Sequence, residues 1–372
     1  MIDAEFEQPH PIQELPDGND PVSELSKEGY AALKEGHLNE AEDCFTQLIA
    51  LEPKNNYALV GLGDLCRKRA DFEKATAYYQ ECLRQNATNN YALFGLADAY
   101  KGLGLFHKAL DIWEKYLEQD GQNLTVLTRV ADAFRKVRNF GGSKATYQKV
   151  LAIEPENAYA LIGLGHLYYD FKDYREALRC WEKMEKLHTD ADIRVLTSLG
   201  NCHRKLKTYE LGVPYFQRVL LQHPDNFYAL FGLADCFRGL GRSEESLAHW
   251  NRILEFDPHN KVILTRAGDA LRALERYADA EASYQAALDI EYDQYAILGL
   301  ALVRKAQGHY DQALHTLTGM LRNDSSNPRI YQEMAECHLA LGHRNEAMAV
   351  LQQFQRRGIR NPYITEMLAR LR

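Results

Sequence analysis

The chain has 372 residues, of which 46% are hydrophobic, and a formal net charge of −8. That acidic balance argues against nucleic-acid binding, which needs a basic stripe to displace counterions from phosphates. No apolar run approaches the roughly 18 residues that cross a bilayer, so membrane insertion is not expected.

The first stretch, MIDAEFEQPHPIQELPDGND, lacks the basic and apolar regions of a signal peptide, which makes a cytoplasmic location the expectation. Its prolines, acids and scarce periodic apolar content predict a disordered or loosely attached lead-in over residues 1–20. Asp20-Pro21 then places a capping residue before a proline at a first helical position.

From residue 21 to 360 the sequence repeats. NNYALVGLGDLC begins at Asn55 and returns as NNYALFGLADAY from Asn89, NAYALIGLGHLY from Asn157 and NFYALFGLADCF from Asn226, with a worn copy, DQYAILGLALVR, from Asp293. Each block is a capping residue followed by apolar residues at helical spacing, which predicts an amphipathic helix. A second helix follows, with a small residue, a large apolar one four later and another three later: Ala41, Phe45 and Leu48; Ala109, Trp113 and Tyr116; Ser143, Tyr147 and Val150. The period is 34 residues, with one extra residue near 190 and one fewer near 292. Ten such pairs are predicted, and residues 361–372, from Asn361-Pro362-Tyr363, read as a lone capping helix.

This period and the small/large pattern, as in Leu62-Gly63-Cys66 and Leu96-Ala97-Tyr100, resemble the tetratricopeptide repeat family. The resemblance implies an all-α fold, a right-handed α-superhelix (solenoid) of helix-turn-helix repeats whose first helices line a concave surface. Repeats also match at a distance of four: YALFGLADAYKGLG with YALFGLADCFRGLG, and VLTRVADAFRKV with ILTRAGDALRAL. A duplicated four-repeat block is the inference.

Counting from the Asn or Asp that opens each first helix, exposed places are expected at the second, fifth, sixth, ninth and twelfth residues. The second holds Tyr57, Tyr91, Tyr159, Tyr228 and Tyr295, and the fifth holds Phe94, Ile162 and Phe231 among others. The sixth is Gly61, Gly95, Gly163, Gly232 and Gly299 in the same repeats. Glycine inside a helix costs about 0.8–1 kcal/mol relative to alanine, so five in register need a reason. Either they admit a ligand backbone, or they relieve crowding against the preceding repeat. At the ninth place stand Asp64, Asp98, Asp132, Asp235 and Asp269, and at the twelfth Arg67, Lys101, Arg135, Arg238 and Arg272, a spacing that allows pairing along one helix face. Arg129 and Arg266 replace glycine at the sixth place and are the candidates for holding a carboxylate. The Lys/Asn clamp with which some members of the family hold a chaperone's C-terminal carboxylate is not matched here, because the fifth place is apolar or Thr and the ninth mostly Asp.

The opening Asn and Asp residues read as helix caps, and the seven cysteines, none at CxxC spacing, as small core residues. GLGDLC lacks the third glycine and the preceding strand of a dinucleotide fingerprint. No catalytic set, metal site or cofactor is expected, so the chain is not read as an enzyme. The expected function is a protein-protein interaction scaffold that binds an extended peptide or partner helix in the concave channel. A self-assembling scaffold and the targeting arm of a separate enzyme are the alternatives; partner identity and oligomeric state are not written in these residues.

Overall fold

The computed structural model describes residues 21–187 and 192–371, and every described element is a helix. The lead-in over 1–20 and the extra residue near 190 lie outside the described residues. The chain divides into two compact parts, Met1–Asp190 and Ala191–Arg372. In the N-terminal part the helices are α1 (Pro21–Glu35), α2 (Leu38–Leu51), α3 (Asn56–Lys68), α4 (Phe72–Gln85), α5 (Asn90–Gly102), α6 (Phe106–Gln119), α7 (Leu124–Lys136), α8 (Phe140–Ile153), α9 (Ala158–Asp170) and α10 (Tyr174–Leu187). The C-terminal part holds α11 (Ile193–Leu206), α12 (Tyr209–Gln222), α13 (Phe227–Gly239), α14 (Ser243–Phe256), α15 (Lys261–Ala273), α16 (Tyr277–Ile290), α17 (Gln294–Ala306), α18 (Tyr310–Met320), α19 (Pro328–Ala340), α20 (Arg344–Gln355) and the single closing helix α21 (Pro362–Leu371).

Odd-numbered helices are the first of each pair and even-numbered ones the second. From α3 onward the start of each first helix is fixed by its cap. Asn55 Oδ1 accepts from the Ala58 amide at 3.0 Å and Asn89 Oδ1 from Ala92 at 2.9 Å. Asn226 accepts from Ala229 at 3.0 Å, and Asn361 does the same for α21 through Ile364 at 3.1 Å. Each cap satisfies an amide the helix leaves unpaired and contributes about 1 kcal/mol. Each first helix ends at a residue of positive φ that turns the chain into the second: Gly36, Ala70, Gly104, Arg138, Lys172, Lys207, Gly241, Glu275, Gly308 and Gly342. Half of these turns are made without glycine.

Within each part the first helix packs on its own second helix, and that second helix packs on the next first. First helices also touch one another directly, α1 on α3, α3 on α5, α7 on α9, α11 on α13, α15 on α17 and α17 on α19. Consecutive second helices make no comparable contact among the described residues. First helices therefore crowd the inner side of the bend and second helices fan out on the other. The core runs between the layers, and Phe45, Tyr79, Trp113, Tyr147, Trp181, Phe216, Trp250 and Tyr284 are all buried in it. No single centre has to grow with chain length, because each pair is covered by its neighbours.

Candidate functional site

The five aligned glycines are explained by packing between repeats. A Cβ at Gly61, Gly95, Gly163, Gly232 or Gly299 would stand less than 3.0 Å from the ring of Phe45, Tyr79, Tyr147, Phe216 or Tyr284, each from the preceding pair. The other side of four of these rings meets a glycine of its own pair: Gly29, Gly63, Gly200 and Gly268. Each of these four rings is thus clasped between two helix backbones, and the lost helix propensity is offset by close burial of an aromatic side chain.

Two of the buried tryptophans lack this clasp. Trp113 and Trp250 precede Arg129 and Arg266 rather than a glycine, and α5 and α7, like α13 and α15, pack less closely than α3 and α5 or α11 and α13.

The acidic and basic residues of the ninth and twelfth places form internal ladders. Tyr79 donates its hydroxyl hydrogen to Asp64 Oδ1 at 2.7 Å, and Arg67 reaches both Asp64 (3.2 Å) and Asp98 (3.3 Å). Arg129 donates to the other oxygen of Asp98 at 3.0 Å and lies over the Phe94 ring. Tyr147 donates to Asp132 at 2.6 Å, while Arg135 reaches Asp170 at 2.8 Å. In the C-terminal part Tyr284 donates to Asp269 at 2.8 Å, with Arg272 at 3.9 Å from the same carboxylate. Arg204 donates to Asp235 Oδ2 at 2.8 Å, and Arg238 binds Oδ1 through both Nε (2.9 Å) and Nη2 (2.7 Å). Burial alone raises the Asp235 carboxyl pKa, but the bonds from Arg204 and Arg238 outweigh it and hold that carboxyl below its ordinary range. Tyr79 is driven the other way, well above the usual phenol range, first by burial and then by the charge of Asp64.

The sequence-predicted contact residues do not share one environment. Phe94, with 2% of its surface accessible, belongs to the core and stands edge-on to Tyr116. It offers no face to a ligand. Asp98 is likewise buried, and Tyr57, Tyr91, Lys101 and Ile162 are half-buried, the two tyrosines lying against the core of the N-terminal part. Tyr159 is more open. Phe231 is half-buried against Trp250. Tyr228 and Tyr295, by contrast, are 72% and 67% exposed.

Between them in sequence, Val262 takes the second place of its repeat and is 50% exposed. Sequence reasoning passed it over because it looked for tyrosine, although the register alone marks it. Val262, Tyr295 and Arg329, second-place residues of three consecutive repeats, line a cavity of about 700 Å³ with Arg238, Arg266 and Asp269. The cavity opens beside α15, where Arg266 stands in the place of the clasping glycine. Arg266 is half-buried there and has no ion-pair or hydrogen-bond partner among the described residues. A smaller cavity of about 390 Å³ in the N-terminal part is lined by Asn56, Asn90, Tyr57, Tyr91 and Tyr116. No group of His, Cys, Asp and Glu among the described residues could hold a metal ion. No described helix is long and apolar enough to cross a membrane.

Family models described as tetratricopeptide repeat match residues 26–90, 129–191 and 197–261 with one model, and 91–122, 263–294 and 305–371 with three others. The first of these alone spans more than half of the chain. The chain belongs to the tetratricopeptide repeat family. Its helix pairs form a tetratricopeptide solenoid, and the ring clasps and ladders above are how this member fills the tetratricopeptide frame. Similar solved structures include YrrB, described as a tetratricopeptide repeat protein with an unusual peptide-binding site, at 24% identity and a TM-score of 0.45, covering 50% of this chain and 95% of that one. A tetratricopeptide repeat protein from Parabacteroides merdae matches at 17% identity and a TM-score of 0.39, covering 76% of this chain and 98% of that one. MamA matches at 21% and 0.42, covering 46% and 92%. Comparison with curated proteins gives no match.

Proposed function

We propose that this tetratricopeptide scaffold binds an extended peptide across the inner face of its first helices, chiefly in the C-terminal part. One observation carries the reading: Tyr228, Val262 and Tyr295 repeat at the same helical place, one per repeat, and all three stay open to solvent although the layer around them is packed. Exposed apolar residues are ordinary when scattered; in register along one face they mark a binding surface. Tyrosine suits the task, since it offers a large rigid face at low entropic cost and keeps a polar tip. The ladders beside the stripe are already neutralised, so they fix the position of the wall and leave affinity to the stripe and the cavity. The N-terminal part adds Tyr159 as its open counterpart, whereas Tyr57 and Tyr91 chiefly support packing.

Selection of a displayed library of random decapeptides on the full chain tests this. Wild-type protein should enrich peptides with aromatic or aliphatic residues, and the Tyr228→Ala/Tyr295→Ala variant, checked for unchanged helicity, should not. Equal enrichment by both would rule the stripe out.

A further inference from the structure

The two parts of the chain carry the same four positions with one difference, and that difference decides what the second part can bind. Arg67, Asp98 and Arg129 in the N-terminal part correspond to Arg204, Asp235 and Arg266 in the C-terminal part, each 137 residues later. In the first set Asp98 is bonded by Arg67 through one oxygen and by Arg129 through the other. In the second set Arg204 again takes one oxygen, but the other is held by the two N–H groups of Arg238. The residue matching Arg238 is Lys101. A lysine ammonium is a point charge, whereas the arginine fork can engage one carboxylate through two parallel donors. Arg238 therefore occupies the place on Asp235 that Arg129 occupies on Asp98, and Arg266 is left without a partner among the described residues, beside the cavity.

We propose that Arg266, released by Arg238, anchors the carboxylate of an aspartate or glutamate side chain in an extended peptide crossing this face. The inference rests on the peptide-binding reading and names the peptide chemistry it requires. A monoanion fits better than a phosphate dianion because, of the arginines that line the cavity, Arg238, Arg272 and Arg329 already stand by Asp235, Asp269 and Glu333, which leaves the single charge of Arg266 to a ligand. A side chain fits better than a chain terminus, because exposed apolar residues stand both before and after Arg266 along the chain: Tyr228 on one side, Tyr295 on the other. A peptide that contacts both runs past the arginine. Val262, at the cavity wall, supplies an apolar neighbour for the stem of the acidic residue.

The test uses the full chain and decapeptides enriched from the displayed library, each made with Glu and with Gln at its acidic position. Wild-type protein should enrich one acidic position flanked by apolar residues and should bind the Glu form about tenfold more tightly than the Gln form, the scale of one charge-assisted hydrogen bond. Arg266→Gln should bind both forms equally. Arg238→Lys, which keeps the charge and gives Asp235 back to Arg266, should also lose the discrimination while still binding the Gln form. Enriched peptides with no acidic position, or full discrimination by Arg266→Gln, would overturn the anchor and leave the peptide-binding reading standing. Full discrimination by Arg238→Lys would overturn the release of Arg266 by Arg238. Failure of wild-type protein to enrich any peptide would refute the peptide-binding reading itself, and the anchor with it.

Discussion

Tyr79 is held twice: its ring packs against Gly63 of its own pair and Gly95 of the next, and its hydroxyl donates to Asp64 at 2.7 Å. Asp64 is itself buried, so removing the hydroxyl takes a donor away from a carboxylate in a dry place, where water cannot take its part and Arg67 stands at 3.2 Å. Tyr79→Phe should cost about 1–3 kcal/mol of stability. Tyr284→Phe breaks the equivalent bond to Asp269, whose side chain is far more exposed, and water can replace it at a cost of about 0.5–1 kcal/mol. Urea unfolding of the two variants checks the order; equal losses would mean that burial of the carboxylate is not what sets the cost.

The clasp predicts opposite signs for two glycine substitutions. Gly95→Ala drives a methyl group into the Tyr79 ring and should destabilise by about 1–3 kcal/mol, as overpacking does. A Cβ at Gly319, inside α18, meets nothing within 4 Å, so Gly319→Ala should stabilise by up to about 1 kcal/mol. Thermal unfolding of each variant resolves the signs.

Turn chemistry gives a third case. Ala70 sits at φ 59°, a left-handed conformation that costs a residue with a Cβ roughly 1–2 kcal/mol. Part of that gain is returned through the greater freedom of glycine in the unfolded chain, so Ala70→Gly should stabilise by about 0.5–1 kcal/mol. The same change at Gly104 is already present in the sequence, one repeat later.

Repeats, caps and helix pairs were legible in the sequence because each is local: a cap needs one Asn and the amide three residues on, and a pair needs a 34-residue period. The candidate site was legible only in its register. Tyr57 and Tyr295 are the same letter at the same place, yet one is half-buried against the core and the other open. Arg129 and Arg266 also look equivalent, and their fates part through Lys101 and Arg238 on the neighbouring helix. Partner choice of this kind depends on three-dimensional competition for a carboxylate, which spacing does not encode. The purpose of the aligned glycines was open for the same reason, since the ring that fills them comes from the preceding pair.

Asp235 makes the C-terminal part sensitive to acid. Its carboxyl pKa lies below the ordinary range in the folded protein, so its contribution to stability is complete above about pH 4 and is lost as pH falls through the lowered folded value. Denaturant midpoints followed from pH 6 down to pH 2.5 should fall more steeply for wild-type protein than for Asp235→Asn, which has already given up that contribution at neutral pH. Parallel curves would mean that the ladder at Asp235 is not linked to folding.

The claim on which the functional account depends is that the open aromatic stripe of the C-terminal part, and not the tyrosine register as a whole, is the binding face. Fluorescence anisotropy of one library-selected decapeptide, titrated with wild-type, Tyr295→Ala and Tyr57→Ala protein, measures this directly. The account predicts that Tyr295→Ala weakens binding by tenfold or more, the scale of a binding hot spot, while Tyr57→Ala stays within about twofold. Unchanged binding by Tyr295→Ala would contradict it.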